Sequence, residues 1–105
     1  IEQHEPSHVS LVAMGYRARE SADEDLLCAE YIKRRLQQRP VDFQKMVYAT
    51  RNGTGKRFFD PLNIGHSPPE DFDLCMALNR FPFILKVCSD RDGLQLIKIP
   101  VNCKP

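Results

Sequence analysis

The 105-residue chain carries fifteen Lys and Arg against fourteen Asp and Glu, a net charge of +1, with 42% apolar and 28% charged residues. That balance is not the composition of a disordered chain, and it lacks the one-sided basic excess that nucleic acid or an anionic membrane surface selects. No apolar run approaches the ~20 residues of a membrane span, and a chain of this length is expected to build one modest core, burying ~60–70% of its unfolded surface.

Residues 1–7 have no periodicity and read as a linker. Residues 8–14, His-Val-Ser-Leu-Val-Ala-Met, are β-branched and closed by Gly15, which predicts a strand buried on both faces. A loop over 16–20 follows, carrying Arg17 and Arg19, whose guanidinium forks suit phosphate. Next comes a helix, predicted over 21–36. Ser21 and Glu24 have the spacing of a capping box, in which serine and glutamate each satisfy the other's orphan N–H. Leu26, Ala29, Ile32 and Leu36 form a stripe facing the strand, and Lys33, Arg34 and Arg35 complement the helix dipole at its carboxyl end. Asp23 also suits the dipole. Asp25 has no local helical role at this spacing.

A second helix is predicted over 41–51, stopped by Asn52-Gly53. The run Asn52-Gly53-Thr54-Gly55-Lys56 lacks the longer glycine spacing and the strand context of a Walker loop, so it reads as a flexible turn. Phe58 and Phe59 are expected to dock a short helical turn before Pro61. Pro68-Pro69 opens a helix over 69–80, with Glu70, Asp71 and Asp73 in its first turns. Residues 82–88 and 94–99 make a β-hairpin around a five-residue loop, and 101–105 form a tail.

The cysteines Cys28, Cys75, Cys88 and Cys103 show no zinc-ligand or Cys-x-x-Cys spacing. Cys28 and Cys75 lie in helical apolar patterns, predicting buried free thiols and a reduced, cytoplasmic protein. Cys28 has acidic neighbours, which disfavour the thiolate a nucleophile needs. The fold class is α/β, with sheet strands packed by about three helices and ending in a hairpin. The chain is expected to be a single α/β domain or the carboxyl-terminal fragment of a larger α/β enzyme. Beginning at Ile1 without a methionine, it reads as a processed or excised piece.

Two segments carry a family likeness. Glu24-Asp25-Leu26-Leu27-Cys28-Ala29 looks like a Glu-Asp-x-x-Cys-Ala-Gly segment, and Glu70-Asp71-Phe72-Asp73-Leu74-Cys75 looks like a later Glu-Asp-x-x-x-Cys helix. With the strand before them and the hairpin after, residues 8 to about 99 resemble the carboxyl-terminal portion of the 2-phosphosulfolactate phosphatases. The chain departs from the family at Glu30, Asn79 and the Leu85-Lys86 region, and the family's amino-terminal half is not in it.

The resemblance implies a magnesium-dependent hydrolysis of 2-phosphosulfolactate to sulfolactate, a phosphate monoester reaction of coenzyme M biosynthesis. Glu24 and Asp25 would then hold Mg2+, with Arg17 and Arg19 binding the small phosphorylated sulfonate substrate. Activity would need association with the missing amino-terminal half or a homo-oligomer. A second reading, from a different class, is a non-enzymatic α/β interaction or regulatory domain whose acids only serve the helix start.

Overall fold

The computed structural model describes residues 1–101, so Cys103 and most of the predicted tail lie outside the described residues. Helix α1, Asp23–Leu36, opens with Asp23, Glu24 and Asp25 and closes with Lys33, Arg34 and Arg35, each set at the dipole end it stabilises. Its N-cap is Ala22, in an extended conformation and with no side-chain cap bond. The expected capping box is therefore not formed. Glu24 turns away from Ser21 because a charge-assisted pair with Arg57 is available, and such a pair is stronger than a neutral cap.

Helix α2, Phe43–Asn52, is capped by Asp42, whose carboxylate accepts from the Lys45 N–H at 3.1 Å. It joins α1 through an edge-to-face contact between Tyr31 and Phe43, with ring centroids 5.4 Å apart. The glycine-bearing segment after it is no flexible turn. It forms a 3-10 helix, Thr54–Phe59, in which Gly55 and Phe58 are buried. A Cβ at Gly55 would meet the Thr50 carbonyl and the Phe72 ring, so only glycine permits this close approach. The expected helical turn before Pro61 is this one, and a further short turn spans Pro61–Asn63.

Helix α3, Pro69–Met76, starts at the predicted proline but stops four residues short of the expected end. Ala77 is already extended and Asn79 sits in the left-handed region with φ 52, a conformation that asparagine tolerates better than most residues. Strands β1, Phe83–Asp90, and β2, Gly93–Pro100, then pair antiparallel from Phe83↔Pro100 to Asp90↔Gly93. The turn is tighter than predicted. Gly93 takes φ 109, and the Asp90 carboxylate accepts from the Asp92 N–H at 2.8 Å.

Residues 8–14 run beside α1, but the expected strand has no ladder partner. Leu11 and Ala13 are half-buried, while Val12 is 76% exposed and Met14 70%. A strand is defined by its neighbours, and the described sheet has only the two hairpin strands. The stripe of Leu26, Ala29, Ile32 and Leu36 lies along residues 9–14, with which it shares shallow cavities, while Leu27 turns to the other side and is buried among α2 and the 3-10 segment.

The buried apolar side chains are Ala22, Leu27, Phe58 and Phe72. Phe72 receives both Phe58 and Phe59, at centroid distances of 5.8 and 5.3 Å. This core is small for the chain. The accessible surface is 8947 Å², against roughly 6,000 Å² for a globular monomer of this mass. The radius of gyration is 15.9 Å, against about 13 Å for a compact domain of this length. The chain thus hides about half of its unfolded surface, less than its length predicts.

Candidate functional site

The three acids that open α1 each have a separate partner. The Asp23 carboxylate accepts from the Thr54 N–H at 2.9 Å, and the Asp23 N–H donates to the Thr54 hydroxyl at 2.7 Å. Glu24, buried, holds the Arg57 guanidinium through both oxygens, one contact being Nη1 to Oε2 at 3.3 Å. Asp25 Oδ2 accepts from the Gly15 N–H at 2.8 Å. Successive helix positions are about 100° apart, so three consecutive side chains point to three different neighbours. The first turn of α1 acts as a three-way clasp between the 3-10 segment and the loop before the helix.

Arg57 is the centre of that clasp. Its Nη1 also donates to the Thr54 carbonyl at 3.1 Å, and its guanidinium lies over the rings of Phe58 at 4.4 Å and Tyr16 at 5.1 Å. The Glu24 carboxylate beside it holds Arg57 above the usual arginine range, so the guanidinium stays charged. Cys75, although exposed, feels the same charges: partial desolvation of its thiol first, then Glu24, Asp71 and Asp25, push it up. A thiol so placed is a poor nucleophile.

The loop over 16–20 closes on itself, with the Tyr16 N–H bonded to the Glu20 carbonyl at 2.7 Å and the Arg19 N–H to the Tyr16 carbonyl at 3.1 Å. Its central residues Arg17 and Ala18 both have positive φ, 53 and 55, a conformation costly for residues with a Cβ. Gly15 enters the loop at φ 79, where a Cβ would run into the Glu20 carbonyl.

The structure scatters the expected site residues. Arg19 lines a shallow cavity of ≈ 230 Å³ with Gly15, Glu20 and Ser21. Arg17 lies on the Tyr16 ring at 5.0 Å instead. Asp25 borders a neighbouring cavity of ≈ 180 Å³ with Leu11, Met14 and Cys28, and Glu24 is sealed under Arg57. Magnesium requires an octahedral set of oxygens, most of them water. Glu24 gives both of its oxygens to a cation, and Asp25 gives one to a backbone N–H, so the pair as placed does not fit that ion. Among the described residues no group of three or more His, Cys, Asp or Glu is arranged to hold a metal.

Cys28 and Cys75 are exposed rather than buried as expected, and with Cys88 they are free thiols. No helix among the described residues is long and apolar enough to cross a membrane. The residues missed in the sequence are Gly15, Thr54 and Arg57. Each is distant in sequence from the acid it binds, and the one local signal was a cation set against Phe58 and Phe59.

Compared with known proteins, the chain matches no family model, no curated protein and no solved structure.

Proposed function

We propose that this chain is a non-enzymatic α/β interaction domain, in which a self-satisfied helical platform presents β-segments to a partner chain. The observation that carries this reading is the surplus of exposed surface, 8947 Å² against roughly 6,000 Å² for a monomer of this mass. Large apolar side chains are exposed along much of the chain, and the hairpin is one such stretch. Leu85, Val87, Leu94 and Leu96 are 58–77% exposed on one face of the hairpin, while Ile84 and Ile97 are exposed on the other. A two-stranded hairpin is marginal in water unless further strands or helices cover it. Apolar faces on both sides suit a strand pair inside a larger sheet.

The phosphatase reading keeps one supporting feature: Arg19 lines a cavity beside the Gly15–Asp25 contact. Titrating the intact chain with magnesium while following backbone amide shifts separates the two. The interaction reading expects no saturable response at residues 23–25. Saturable shifts there, with magnesium-dependent release of phosphate from 2-phosphosulfolactate once a partner is supplied, would overturn it.

A further inference from the structure

We infer that Asn52 is a latent deamidation site, held unreactive by the contact between Asp23 and Thr54, and that its conversion loosens that contact. Asn52-Gly53 is the single Asn-Gly pair of the chain, and Asn52 is exposed. The chemistry consumes only water. The Gly53 backbone nitrogen, having given its proton to hydroxide, attacks Asn52 Cγ; the new N–C bond closes a cyclic imide and the side-chain nitrogen leaves as ammonia. Water then opens either carbonyl of the ring, leaving aspartate or isoaspartate. A following glycine favours closure, because it has no Cβ to shield the attacking nitrogen and has the widest choice of backbone angles.

The folded segment resists that step. The attacking nitrogen is engaged, its N–H donating to the Thr50 carbonyl at 3.2 Å, and so is the leaving one, Asn52 Nδ2 donating to the Tyr48 carbonyl at 2.9 Å. Asn52 is the last residue of α2, so ring closure must also turn its backbone out of the helix and carry Gly53 with it. Gly53 has no room to follow. The Asp23 carboxylate fills the space where a Cβ of residue 53 would stand. Thr54 is fixed by the same residue, its N–H donating to the Asp23 carboxylate at 2.9 Å and its hydroxyl accepting from the Asp23 N–H at 2.7 Å. Cyclisation therefore waits for this contact to open, a local event that needs less free energy than global unfolding.

The product loosens what held the reactant. Aspartate at position 52 sets a negative charge at the carboxyl end of α2, where the helix dipole disfavours it, next to the glycine that the Asp23 carboxylate already touches. It also puts an acceptor where a donor faced the Tyr48 carbonyl. Arg51, the basic residue of that turn, is drawn onto the Phe59 ring at 4.4 Å. Each conversion thus makes α1 and the 3-10 segment easier to part, and hydrolysis does not reverse.

Peptide-resolved mass spectrometry of the full 105-residue chain, incubated at mildly alkaline pH with and without denaturing urea, tests this. Asn52 in the folded chain should convert about tenfold more slowly than in urea, or slower still. Thr54→Val, which removes the hydroxyl from the Asp23 N–H, should speed conversion in the folded chain about fivefold and leave the rate in urea unchanged. Where circular dichroism shows that Thr54→Val does not fold, Asp23→Ala breaks the same contact and gives the same comparison. Asn52→Asp should hasten amide exchange at Thr54 relative to Asn52→Gln, which adds no charge. Equal rates in the folded chain and in urea overturn the inference. Acceleration absent from the folded contact variant overturns Asp23 and Thr54 as the lock, and unchanged exchange at Thr54 in Asn52→Asp overturns the loosening.

Discussion

The guanidinium of Arg57 closes on the carboxylate of Glu24 across thirty-three positions of sequence, tying the first turn of α1 to the 3-10 segment behind α2. Removing one partner of a largely buried pair strands the other charge. Glu24→Ala should therefore cost about 3 kcal/mol in urea unfolding, and Arg57→Ala a similar amount. Replacing both by apolar residues, Glu24→Leu with Arg57→Met, should recover most of that loss. A double variant as unstable as the sum of the singles would contradict the coupling.

Asp25 separates a structural from a catalytic acid. Its contact with Gly15 needs only an acceptor oxygen, so Asp25→Asn should cost less than about 1 kcal/mol, while Asp25→Ala should cost about 1.5. Gly15→Ala should cost about 2 kcal/mol, because both the positive φ and the Glu20 carbonyl oppose a Cβ. Chemical denaturation of the three variants checks the order.

Thr54 offers its hydroxyl to the Asp23 N–H and its own N–H to the Asp23 carboxylate. Thr54→Ser keeps both bonds and should be near neutral. Thr54→Val leaves the Asp23 N–H unpaired and should cost about 1 kcal/mol.

Cys75 carries a pH signature. Its folded-state value lies above the ordinary thiol value of 9.0, through partial desolvation of the thiol and the acids Glu24, Asp71 and Asp25. The raised value favours the protonated thiol, so its contribution to stability is complete below 9.0 and is lost as pH rises through the folded value. Peptide-resolved alkylation should give Cys75 a pH–rate midpoint above 9.0. Glu24→Gln should lower that midpoint by weakening the acidic field.

Much of the architecture was legible in the sequence. The helices announce themselves by acids at their starts, by Pro68-Pro69 and by Asn52-Gly53, and the hairpin by two apolar runs around a turn-rich centre. Local chemistry decides such features. What was not legible depended on contacts distant in sequence. The capping box between Ser21 and Glu24 gave way to Arg57, and the glycines at 53 and 55 proved to be packing positions rather than a loose turn. Residues 8–14 have strand composition, yet composition cannot supply the neighbour a strand needs. Asp25 stood out for lacking a helical reason to be there, and its reason is the backbone of Gly15.

The account rests on the acids of α1 being spent on packing contacts with Thr54, Arg57 and Gly15 rather than on a metal, and magnesium titration of the intact chain followed at the backbone amides addresses that most directly. Residues 23–25 should show no saturable shift. Saturable shifts there would contradict it.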